Sequence, residues 1–179
     1  MIIAHLPPQP IPLGVILSVV VAASTDLTAR RVPNLLIASG LVASLAVQLW
    51  LSGPIAGFMH WIEGVLTGFA LLFPVYLLGG TAAGDVKLLM LVGAWIGPDA
   101  TLSVALMTFL FGGCWVLALV LVRGRFVSLW MNVSWLLSGL LRGRYKPGRP
   151  EQIPGGSIGT IPYAASIAAG TLVVLCNSI

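Results

Sequence analysis

Six apolar runs, near residues 11–25, 35–51, 60–79, 86–97, 100–122 and 161–178, succeed one another along the chain, each closed by glycine, proline or charge. A bilayer core about 30 Å thick is crossed by roughly 20 apolar residues in an α-helix. Inside lipid, such a segment must satisfy its own backbone amides, and a helix does so. Only 8% of the residues are charged and the mean hydropathy is +1.04, where a soluble domain carries about a quarter charged residues. The expectation is an all-α fold, a polytopic membrane bundle of about six transmembrane helices making one integral membrane domain over residues 1–179, with no separate soluble domain. The fourth run is short for a full span, so it is expected to tilt, kink or begin below the membrane surface, with "AAGDVK" leading into it.

Charge gives the orientation. The formal net charge of +4 beside apolar spans reports basic cytoplasmic loops rather than a nucleic-acid surface. Arg30 and Arg31 follow the first run, Lys87 opens the fourth, Arg123 and Arg125 follow the fifth, and Arg142, Arg144, Lys146 and Arg149 precede the last. Six spans with both ends outside put all nine basic residues in the cytoplasm. The outer loops "SGPIAGFMH" and "GPD" then carry no Lys or Arg. This requires residues 126–141 not to cross. Phe126, Leu129, Trp130, Val133, Leu136, Leu137 and Leu140 share one helical arc, opposite Ser128, Asn132 and Gly139, which predicts an interfacial helix on the cytoplasmic surface. The Gly- and Pro-rich stretch after it reads as a cytoplasmic loop. The N-terminus has neither a basic region before its apolar run nor a small-residue cleavage site after it, so the first run is expected to stay as a span. Cys114 and Cys176 are isolated in apolar runs, offering no zinc motif and no disulfide framework.

Two of the five acidic residues fall on the cytoplasmic side at similar depth: Asp26 in "STDLTARRVPN" and Asp85 in "TAAGDVK". A carboxylate at the edge of a membrane span is costly to desolvate and marks a functional site by default. Glu63, expected in the first turn of the third span, and Asp99, at the start of the fifth, lie on the outer side and suit helix capping; Glu151 lies in the loop. Two facing carboxylates suit aspartic hydrolysis: one, ionised, takes a proton from water, and the other, protonated, donates to the substrate carbonyl. Neither metal nor other cofactor is called for. Gly84 gives room for a substrate backbone, and Lys87 can balance the pair's charge or bind a substrate carboxylate. A structural reading stands beside this one. In it, Asp26 bonds to backbone amides at a helix end and Asp85 pairs with Lys87 in an interfacial turn.

At these residues the sequence resembles the type IV prepilin peptidases, bacterial members of the GxGD intramembrane aspartic proteases. "DLTARRVPN" resembles the family's first-aspartate segment, "AAGDVKLLMLVGAWIG" its GxGDxKLL segment and "IPYAASIAAG" its closing span. One position departs: Ala82 stands where the motif has its first glycine. The N-terminal region with paired CxxC motifs that larger members carry is absent from this sequence. It is thus similar to the short, peptidase-only branch of tight-adherence (Flp-type) pilus systems, with no methyltransferase activity expected. The resemblance implies Asp26 and Asp85 as the catalytic pair, removing the basic leader of prepilins or pseudopilins at the cytoplasmic face of the bacterial inner membrane. It gives Gly84, Lys87, Pro33 and Asn34 supporting roles. Partners are then the pilin substrates and the lipid bilayer; homo-oligomerisation is left open by the sequence. Two rivals remain at this stage: a non-enzymatic transporter or scaffold using the same acids, and an inactive homologue that binds pilins without cutting them.

Overall fold

The computed structural model describes residues 10–29, 32–124 and 163–177, together with Phe126, Val127, Trp130, Met131, Val133, Ser134 and Ser138. Five helices have defined bounds among the described residues: α1 (Ile11–Ala29), α2 (Asn34–Ser52), α3 (Pro54–Leu77), α4 (Ala83–Arg123) and α5 (Tyr163–Asn177). No strand occurs among the described residues, and the expected all-α class holds. By length and composition α2, α3 and α4 can cross a membrane, whereas α1 and α5 are shorter apolar helices. Helix length alone therefore does not give six crossings.

Local chemistry sets the boundaries. Gly53, at φ 81°, ends α2 in a conformation that L side chains rarely adopt. Pro54 restarts the chain at once, because its fixed φ suits the first helical position. The third helix thus begins at Pro54 rather than near residue 60. Glu63 lies well inside it and is exposed, which corrects its expected place in the first turn. Gly97, at φ 79° and ψ 178°, breaks α4, and Pro98 follows it. This break divides α4 into two arms, 83–96 and 98–123, where the sequence predicts separate runs. A Cβ on Gly93 would stand 3.1 Å from the Thr101 hydroxyl, although eight residues of straight helix span about 12 Å. The second arm therefore folds back along the first.

The remaining helices pair antiparallel, and glycines mark the contacts. Trp61 Nε1 donates to Ser44 Oγ at 3.0 Å across the α2–α3 turn. Along α3, a Cβ on Gly64 would run into the Gly93 carbonyl, and one on Gly68 would stand 2.7 Å from the Leu89 carbonyl carbon. Small residues let membrane helices approach backbone to backbone in this way. Gly14 of α1 lies on the Trp95 indole, while Gly170 of α5 faces Val104 and Thr108. The first arm of α4 becomes the central rod: Asp85, Val86, Leu88, Leu89 and every residue from Leu91 to Trp95 are buried. A helix covered all round belongs inside a bundle. Outside, Leu35, Trp50 and Val122 are among the most exposed side chains, as on a surface that faces lipid.

The described residues of the expected interfacial helix are helical and exposed. Its other positions lie outside the described residues, as do Arg30, Arg31 and the Gly- and Pro-rich loop.

Candidate active site

Asp85 is the third residue of α4, inside the helix rather than in a turn before it. A carboxylate in a first helical turn meets backbone N–H groups that have no intrahelical partner. Ala82 N donates to Asp85 Oδ2 at 3.0 Å, and Thr81 Oγ1 donates to the same oxygen at 2.8 Å. Both bonds fall on one oxygen. Oδ1 makes none among the described residues, and the side chain as a whole is only 6% exposed. Asp85 thus takes the capping role that the structural reading gave to Asp26. The ion pair that it gave to Asp85 is absent among the described residues, because Lys87 Nζ instead donates to Asn34 Oδ1 at 3.0 Å.

That bond ties two expected supporting residues together and links the start of α2 to the start of α4. Pro33, extended at φ −63° and ψ 130°, precedes α2 as its N-cap. Beside it, a Cβ on Gly84 would meet Val32 at 3.6 Å, an ordinary contact. Gly84 is thus not demanded by packing here, and the room it leaves faces the stretch joining α1 to α2. Ala82 has φ −90° and ψ 156°, open to any L-residue. The missing motif glycine therefore costs no backbone strain.

Asp26 comes from α1. Gly14 lies against Trp95, so α1 and the first arm of α4 share a level there. From that level Asp26 is 12 residues along one helix and Asp85 10 residues back along the other, about 18 and 15 Å. Both acids therefore reach the same end of the bundle. Asp26 is close enough for its charge to act on Asp85. It is partly exposed and takes no hydrogen bond among the described residues. A cavity of about 320 Å³ lined by Gln48, Ser52, His60 and Trp95 lies near the Gly97 break, away from the two acids. Of the two acids, Asp85 is buried and Asp26 partly exposed. No group of three or more His, Cys, Asp or Glu able to hold a metal occurs among the described residues.

A family model described as the type IV leader peptidase family matches residues 13–117. The chain belongs to that family. The matched segment runs from α1 into the second arm of α4 and contains Asp26, Asp85, Lys87 and Asn34. Comparison with curated proteins and with solved structures gave no match. As a type IV leader peptidase the protein is a membrane hydrolase, and its family implies prepilin substrates.

Two residues at this end carried no assigned role in the sequence. Thr81 holds the Asp85 carboxylate. Tyr163, the first residue of α5, lies where the charge of Asp85 reaches it. Thr81 could have been sought as a hydroxyl four residues before a membrane acid, and Tyr163 as the polar residue that opens the closing span.

Proposed function

We propose that this leader peptidase is an aspartic endopeptidase that uses Asp26 and Asp85 to remove the short basic leader from Flp-type prepilins or pseudopilins. The observation that carries the reading is the antiparallel packing of α1 on the first arm of α4, which brings the two acids to one end of the matched segment. The environments differ. Asp85 is buried with one oxygen held by two donors, whereas Asp26 is partly exposed with none among the described residues. Unequal environments suit a pair in which one member is protonated and the other ionised.

The ionised carboxylate takes a proton from water as that water attacks the scissile carbonyl. The protonated one donates to the carbonyl oxygen, and protons then return through the pair to the leaving amine. Lys87 and Asn34 position the α1–α2 connection beside Asp85, and Pro33 fixes its exit into α2. The site lies at the cytoplasmic face of the inner membrane, since the described cations Lys87 and Arg123 fall at the acid end of the folded-back α4. A basic leader then stays in the cytoplasm while the pilin's apolar helix lies in the bilayer, which puts the scissile bond at the depth of the acids. Six spans with both ends outside fit this arrangement, with residues 1–179 as one peptidase domain.

The test is co-expression with Flp-type prepilins from the same genome, reading leader removal by gel shift and mass spectrometry. Cleavage by the wild type, abolished by Asp26→Asn and by Asp85→Asn at equal protein levels, is expected. Intact prepilin with the wild type across several candidates would overturn the proposal. Binding without product would favour an inactive homologue, and transport in proteoliposomes the non-enzymatic rival.

A further inference from the structure

The proposed dyad lacks one thing that peptide hydrolysis uses, a donor outside the pair for the oxygen on which charge develops. Of the two described tyrosines at this end, Tyr76 is exposed on α3, whereas the helix packing holds Tyr163 half-buried. Gly170 of α5 faces Val104 and Thr108, while Tyr163, seven residues earlier, lies over Gly112, where a Cβ would be 3.8 Å from its hydroxyl. These contacts make α5 antiparallel to the second arm of α4. That arm folds back at Gly97, so Phe109, twelve residues after the break, is level with Asp85, twelve before it. Gly112 lies one turn further on. The Tyr163 ring is therefore held beside the level of Asp85, half-buried, and its hydroxyl has no hydrogen-bond partner among the described residues. At that distance the charge of Asp85 reaches it.

We propose that the Tyr163 hydroxyl is a catalytic donor, binding the scissile carbonyl oxygen of the leader peptide and strengthening that bond as the tetrahedral intermediate forms. It keeps its proton throughout; the dyad carries every proton transfer. The bilayer side of the site is apolar, so one oriented O–H there counts for more than it would in water. This proposal rests on the aspartic-peptidase reading above.

The experiment measures cleavage of a synthetic prepilin by the full chain in proteoliposomes, for the wild type, Tyr163→Phe and Asp85→Asn. Tyr163→Phe should lower kcat about 10- to 100-fold, with KM within about twofold of the wild type. A Tyr163→Phe enzyme with wild-type kcat overturns the proposal, as does a loss confined to KM. A second variant carries 2,3-difluorotyrosine at position 163, which lowers the phenol's pKa toward neutrality with little change in shape. At a pH where this phenol is still protonated it is a stronger donor, so its kcat should exceed that of the wild type. An unchanged or lower kcat overturns the proposal even if Tyr163→Phe proves unstable. If the wild type itself cleaves no prepilin, the aspartic-peptidase reading fails and this inference fails with it. If the wild type cleaves and Tyr163→Phe matches it, only this inference fails.

Discussion

Replacing Thr81 with valine removes the hydroxyl that donates to Asp85 and keeps the side chain's shape. A hydrogen bond to a charged group is worth about 1.5–3 kcal/mol, so the carboxylate loses a large part of its orientation. The expected result is a fall in leader-cleavage rate of about tenfold or more, largely restored by Thr81→Ser and read by mass spectrometry of the product. Ala82→Gly should behave differently. Position 82 has φ −90°, and its N–H serves Asp85 whatever the side chain. A glycine at this position should leave the rate within about twofold, since neither bond nor clash changes. A large gain in rate would show that the alanine restrains the site. Asp85 was legible in the sequence because a membrane-edge carboxylate is rare and costly. Thr81 was not, because hydroxyls also satisfy themselves on the preceding turn of helix, as Thr25, Thr108 and Thr171 do here.

Glycines decide how the elements meet. A methyl group on Gly64 would enter the Gly93 carbonyl, and one on Gly68 would strike the Leu89 carbonyl, whereas one on Gly113 would meet nothing within 4 Å. Gly64→Ala and Gly68→Ala should each destabilise the folded protein by about 1–3 kcal/mol, because backbone cannot step aside as a flexible side chain can. Gly113→Ala should be neutral or stabilise by up to about 1 kcal/mol through helix propensity. Thermal unfolding of the purified protein in one detergent distinguishes the three. The apolar runs showed where the helices lie to within a few residues, since each is closed by glycine, proline or charge. The third run misled by six residues. His60 and Glu63 interrupt the apolar pattern of α3, yet Pro54 had already restarted the helix: Glu63 lies on its exposed face and His60 packs against Gly97.

For the whole molecule, the proposed orientation predicts which positions face which side. With Cys114 and Cys176, both exposed, first replaced by serine, cysteines at Ser52 and Asp99 should react with an impermeant maleimide added outside. A cysteine at Ser134 should react only after the membrane is opened, and the reverse pattern would invert the topology and move both acids outside. By itself, the sequence determined that the chain is helical, that it belongs in a membrane, and that Asp26 and Asp85 are the acids to examine. Those conclusions rest on composition and local pattern, whose energies are set within a few residues of chain. Only the tertiary structure decided that Lys87 bonds to Asn34 rather than Asp85, and that Tyr163 stands at the acid end. Such contacts join residues far apart in sequence. In a bundle whose inner and outer faces are equally apolar, hydrophobicity does not say which face turns inward; backbone contact at glycines and a few buried polar bonds select it.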